Sequence, residues 1–189
     1  MAEWVLATER AYVAAATGGS VPTGGPPDRM PRARAALGAV ASRYLAVGTP
    51  RSLGLVVDGT ASCDEAALSL FAHRTWFQPT DLRCAGPGAD ALAHAIGGRV
   101  TTIEEAIACD IVCVHAPMTL DPAQLRRGTH VNVLVPVTFA EELARVAKIT
   151  HEVPGLAKLA AGLVDGRQLD ELTVFVIGDA QIALAAVAT

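Results

Sequence analysis

Arg51-Ser52-Leu53-Gly54-Leu55-Val56-Val57-Asp58-Gly59 is the stretch whose reading decides the fold. Leu53 to Val57 is a short apolar run, and it stops at Asp58-Gly59. A helix-compatible segment, 63–74, follows at once. A buried strand, a glycine turn and a helix, in that order, open a nucleotide-binding α/β sheet. Such sheets carry G-x-G-x-x-G in the turn, so that backbone can approach a pyrophosphate at the helix N-terminus. Here the turn reads Asp58-Gly59-Thr60-Ala61-Ser62-Cys63. One glycine remains, and a carboxylate stands where phosphate would arrive.

Outward from this run, strands and helices alternate. The pattern predicts a second strand over 81–85, broken by Gly86-Pro87-Gly88 ahead of a helix over 89–96. A short strand is expected at 99–101 and a capped helix from Thr102 to Cys109. Strand four is expected over 111–115, closed by Pro117, then a helical turn at 122–125 and strand five over 130–135, closed by Pro136. A helix over 139–148, a sixth strand near 149–152, a helix over 156–164, a β-rich run over 172–177 and an apolar helix over 180–188 complete the chain. Upstream, helices over 3–16 and 32–47 flank a Gly/Pro-rich connection, 18–31. The fold class is α/β: a Rossmann-like, doubly wound, mostly parallel sheet of about six strands with a small helical N-/C-terminal appendage. Three parts are expected: a truncated N-terminal helical segment (1–50), the Rossmann-like domain (51–152), and a C-terminal segment (153–189) packing with the first.

Composition narrows the function classes. The chain has 189 residues, which suits one domain or one with an appendage. Hydrophobic residues make up 51% and aromatics only 4%, so Ala, Val and Leu must fill the core. A net charge of −4 argues against a general nucleic-acid binder, which needs a basic face. No apolar run approaches the roughly 20 residues of a membrane span. Glu3, Glu9 and Arg10 interrupt the N-terminus, which therefore does not read as a secretory signal, and a cytoplasmic location is expected. Cys63, Cys84, Cys109 and Cys113 lack a C-x-x-C pair, so they read as reduced thiols rather than as a metal site or disulfides.

The ordered set of segments resembles the ornithine cyclodeaminase/mu-crystallin family. Arg34-Ala35-Ala36 through Ala41-Ser42-Arg43-Tyr44-Leu45-Ala46 is similar to that family's helix before the nucleotide domain, and Arg51 to Val57 to its first Rossmann strand. Ile103-Glu104-Glu105-Ala106, Cys109 to Val114 and Leu125 to Asn132 follow the order of its later segments. Gly162, Gly166-Arg167 and Glu171 to Phe175 resemble its C-terminal stretch. The resemblance implies NAD(P) as cofactor, a homodimer, and a substrate lobe made from both chain ends.

This chain departs from that pattern in three places. The family has several strands where residues 18–31 form a 14-residue Gly/Pro connection. The end of strand two, Cys84-Ala85-Gly86-Pro87-Gly88, offers neither an acid for a ribose hydroxyl nor an arginine for a 2′-phosphate. Beyond Asn132 the chain reads Val133-Leu134-Val135-Pro136-Val137, without the family's catalytic aspartate, and the nearest acids are Glu141 and Glu142. Together with the degenerate glycine turn at 58–63, the changed end of strand two and the missing aspartate suggest loss of the ancestral chemistry.

A small-molecule ligand is expected in the sheet-end cleft, at the carboxyl ends of strands one and four. Asp58, Gly59, Thr60, Ala61 and Ser62 would form one side, and His115, Ala116 and Pro117 the other, with Asn132 beside them. Asp58 either repels phosphate or binds a ribose or cation; otherwise it caps local amides in an Asx-type turn. Thr60 and Ser62 read as N-caps or as donors to an anion. His115 is the candidate catalytic residue, a general base near neutral pH, or else a hydrogen-bonded rim histidine. His130 and the cysteines read as structural, Arg126-Arg127 as a solvated turn, and Lys158 and Arg167 as cations without an assigned partner. Two function classes follow. One is a small-molecule-binding or accessory biosynthetic protein with a degenerate dinucleotide site; the other is an NAD(P)-dependent oxidoreductase or cyclodeaminase-like enzyme with a remodelled site. A cofactor-independent enzyme is a third.

Overall fold

A computed structural model describes residues 2–166 and 170–188. Two helices come first, α1 (Glu3–Ala16) and α2 (Met30–Leu45). Pro31 in the first turn of α2 pre-sets helical φ where an amide hydrogen has no intrahelical partner. Then follow β1 (Ser52–Val56), α3 (Thr60–His73), β2 (Asp81–Ala85), α4 (Ala89–Ile96), β3 (Arg99–Val100), α5 (Ile103–Ile107) and β4 (Ile111–Val114). After a two-residue strand β5 (Thr119–Leu120) come β6 (His130–Val133), β7 (Thr138–Phe139), α6 (Leu143–Val146), β8 (Ala147–His151), α7 (Ala157–Ala160), β9 (Leu172–Val176) and α8 (Gln181–Ala188).

Seven strands form one sheet in the order β3-β2-β1-β4-β6-β9-β8, and every pairing in it is parallel. The chain is an α/β protein with a Rossmann-like sheet and helical termini. The order reverses between β1 and β4, as in a doubly wound sheet. Beyond β6 the sheet takes β9, from the C-terminal stretch, before β8.

Side chains alternate between two apolar layers, as the two-residue period of a strand requires. Leu53, Leu55, Val57, Ile111 and Cys113 face α3 and α4. Val56, Val112, Val114, Val131 and Val174 face the side that holds α5. A third cluster joins α1, α2, α7 and α8 to Phe175 of β9. Ten of the sixteen residues of α2 are buried, five of them alanine, so small side chains let this helix sit between its neighbours. Each fully buried Leu or Phe there, such as Leu37 or Phe175, contributes about 1.5–3 kcal/mol. At Gly54 a Cβ would lie 2.0 Å from the Ala106 carbonyl oxygen, so only glycine lets β1 approach α5 this closely.

Two local expectations fail. The helix over 139–148 shrinks to α6, because Thr138–Phe139 pairs with β5 and Ala147–Lys148 joins β9 in the main sheet. The helix over 156–164 is cut to α7 and ends at Ala161. Thr102 does cap α5, accepting from the Glu105 amide at 3.3 Å.

Candidate functional site

The β1–α3 turn is compact and held from within. Ser62 Oγ accepts from the Asp58 amide at 2.9 Å and donates to the Gly59 carbonyl at 2.8 Å. Ser62 is therefore a hook into its own turn rather than an N-cap; Gly59 occupies the N-cap position, with no side-chain cap. Gly59 has φ +147 and nothing within 4 Å of a would-be Cβ, so its backbone faces open space. Thr60 and Ala61 are exposed. Asp58 is exposed as well, and its carboxylate accepts no hydrogen bond from the described residues, which removes the Asx-turn reading. A negative charge without a local partner thus stands at the positive end of α3.

His115 does not reach that turn. Its amide donates to the Val56 carbonyl at 2.8 Å, extending the β4–β1 pairing, and its ring is 2% exposed beneath α3. Nε2 lies 3.1 Å from Ser69 Oγ, while Nδ1 has no hydrogen-bond partner among the described residues and sits 3.8 Å from Glu65 Oε2. The His115 ring, and then the Arg34 guanidinium, hold the Glu65 carboxyl below the usual carboxylate range against the opposing effect of burial. The strand period explains the position: 111, 113 and 115 share the face that packs on α3. Ala116 is buried on the other face, and Pro117 is exposed.

Asn132 is also withdrawn from the cleft, being fully buried under α2. It belongs to a directed chain of hydrogen bonds. His73 Nδ1 donates to the Ser69 carbonyl at 2.7 Å, which leaves Nε2 as acceptor for Ser42 Oγ at 2.9 Å. Ser42 Oγ in turn accepts from Asn132 Nδ2 at 2.9 Å. Asn132 Oδ1 is 3.1 Å from His130 Nε2, and His130 Nδ1 is 2.8 Å from Thr173 Oγ1. All five side chains are buried, so this seam ties α2 and α3 to β6 and β9. Burial pushes His73 down to about 4, which keeps it neutral. Burial likewise raises Cys113, to about 12, and Cys84 and Cys109, each to about 11.

A crevice at the carboxyl ends of the strands lies further along the sheet. A cavity of about 390 Å³ opens at the ends of the neighbouring strands β6 and β9. Val133 to Val137 and Phe139 form one wall, Val176 to Ala180 another, and Met30 and Arg34 of α2 close it. Arg34 and Asp179 are its charged groups. Arg34 lies 3.4 Å from Glu65, and Asp179 Oδ1 accepts from the Gln181 amide at 3.3 Å at the start of α8. A carboxylate therefore reaches this cavity from the loop after β9, not from the one after strand five. Sequence reading named the family helix containing Arg34 but gave Arg34 no role, and it passed over Asp179. Only the adjacency of β6 and β9 brings the two together.

Among the described residues no group of three or more His, Cys, Asp or Glu could hold a metal ion, and no helix is long and apolar enough to cross a membrane. Lys158 is exposed on α7; Arg167 lies outside the described residues.

No protein-family model matches the sequence, and no curated protein matches it. Solved structures do resemble it. An archaeal alanine dehydrogenase dimer with bound NAD aligns over 97% of this chain and 88% of its own, with TM-score 0.76 and 17% identity. A Δ1-pyrroline-2-carboxylate reductase of Thermococcus litoralis, in complex with NADH and L-proline, aligns over 98% and 90%, with TM-score 0.77 and 16% identity. A lysine cyclodeaminase that recognises L-lysine, L-ornithine and L-2,4-diaminobutyric acid aligns over 82% and 56%, with TM-score 0.61 and 25% identity. In fold, the chain resembles the ornithine cyclodeaminase-like and alanine dehydrogenase-type proteins.

Proposed function

We propose that this chain is a small-molecule-binding or accessory biosynthetic protein that lacks ornithine cyclodeaminase activity, its dinucleotide site having degenerated. The observation that carries this reading is Asp58, an exposed carboxylate with no hydrogen-bond partner among the described residues, at the N-terminus of α3. Two negative groups about 4 Å apart at an effective dielectric of 20 repel by about 4 kcal/mol, an upper figure because solvent and salt screen an exposed charge. A micromolar cofactor site is worth only about 8 kcal/mol. Withdrawal of His115 and Asn132 from the cleft supports the same conclusion, as does the short 18–31 connection. The ligand's place is the cavity at the ends of β6 and β9, where apolar walls meet Arg34 and Asp179. Under this reading the helical parts of 1–50 and 153–189 are the remnant of a lobe, and the chain dimerises in solution; light scattering at micromolar concentration measures that directly.

A second reading, an NAD(P)-dependent oxidoreductase or cyclodeaminase-like enzyme with a remodelled site, is favoured by one observation. The open backbone at Gly59 leaves a phosphate group room to approach. Calorimetry separates the two. The wild type should bind NADH and NADPH weakly, and Asp58→Gly should bind at least tenfold more tightly. Tight binding by the wild type, unchanged in the variant, removes the charge argument and returns the chain to the oxidoreductases.

A further inference from the structure

Glu152, directly after β8, lies inside the protein, 3% exposed. Its Oε1 accepts from the Tyr12 hydroxyl of α1. Its Oε2 accepts from the Gly178 amide at 2.8 Å and from the Ala180 amide at 3.1 Å. Two nearby amides converging on one oxygen form the concavity that elsewhere captures free carboxylate and phosphate groups. Space for the oxygen depends on Gly178, where a Cβ would stand 2.9 Å from Oε2. Ala180 is buried and held at φ +57, a left-handed conformation that a non-glycine residue keeps only when its surroundings enforce it. Burial first, and then the Glu152 charge, push Tyr12 far above its ordinary value, so the phenol keeps its proton and donates. Ile177, Gly178, Asp179 and Ala180, the loop gripped by this carboxylate, are also a wall of the 390 Å³ cavity.

We propose that the Gly178–Ala180 loop together with Tyr12 is a carboxylate-binding nest filled by the chain's own Glu152, which thereby acts as the positioning residue of the cavity wall and holds Asp179 at its rim. No atom of the nest belongs to the β1–α3 turn, so the proposal stands or falls independently of dinucleotide binding. A side chain that merely filled volume would be replaced well by an isosteric amide. One that supplies charge to two amides and a phenol would be replaced by a free carboxylate instead.

Amide NMR and thermal melting of Glu152→Ala and Glu152→Gln distinguish these, with formate and acetate as probes and acetamide as the uncharged control. Glu152→Ala should melt roughly 5–10 °C lower, with the Gly178 and Ala180 amide resonances moved upfield. Formate should reverse both changes saturably, and acetamide neither. Glu152→Gln should fold with both amides shifted upfield, because a neutral oxygen accepts more weakly. If Glu152→Ala does not fold, formate must restore folding for the proposal to stand. Wild-type amide resonances in Glu152→Gln, or equal effects of formate and acetamide, would overturn it.

Discussion

His73 makes stability depend on pH in a calculable way. The ring is fully buried, and burial lowers its proton affinity from the ordinary 6.5 to about 4. Between those values the unfolded chain binds a proton that the folded chain refuses, so stability falls as pH drops through 6.5 and continues falling to about 4. The whole interval of about 2.5 units corresponds to about 3.4 kcal/mol, of which about 2 kcal/mol is already lost at pH 5. For a chain of this size that is a fall in Tm of about 4–8 °C between pH 7.5 and pH 5. Urea denaturation at half-unit steps over that range measures the slope. His73→Asn and His73→Gln do not titrate there; each should be less stable at pH 7.5, and each should lose less on acidification by about 2 kcal/mol at pH 5. Equal slopes in the wild type and both variants would refute the assignment, because the proton would then be entering the protein elsewhere.

Further expectations concern the same architecture. Ser42→Ala removes the donor to His73 and the acceptor of Asn132, leaving each buried polar atom only a long contact to Cys113 Sγ, at 4.0 and 3.8 Å, and should cost about 2–5 kcal/mol by chemical denaturation. Gly54→Ala places a methyl group 2.0 Å from the Ala106 carbonyl oxygen and should abolish soluble folded protein, whereas Gly48→Ala, with nothing within 4 Å, should cost only its strained φ of +66. Cys113, pushed up to about 12 and fully buried, should resist alkylation at pH 8 until the protein is unfolded, as followed by mass spectrometry.

The sequence made the first half of the sheet legible because its punctuation is local. Gly86-Pro87-Gly88 and Gly97-Gly98 bracket α4 by backbone chemistry alone, and Thr102 marks α5 by its cap. The run from Phe139 to Lys148 deceived because Ala, Glu, Leu and Arg favour helix, while the alignment of Ala147 and Lys148 with Leu172 and Thr173 is a contact across about 25 residues. The site divided in the same way. The missing glycines and Asp58 are visible as letters. That His115 turns under α3 follows from strand parity, but only once the packing of that face is known. The meeting of Arg34 with Asp179 depends on the β6–β9 adjacency, which no local signal announces.

That adjacency bears on how the protein is made. Among the described residues β8 has no neighbour in the main sheet except β9, and β9 also covers the flank of β6. β9, which follows both of its neighbours along the chain, is therefore an interior strand. Until residues 172–176 emerge, the nascent chain carries a sheet ending at an open β6 edge and a detached β8. Such edges recruit foreign strands. A message truncated between codons 152 and 171 would thus yield an adhesive product rather than merely a shorter one, and chaperone demand should peak just before residues 172–176 emerge.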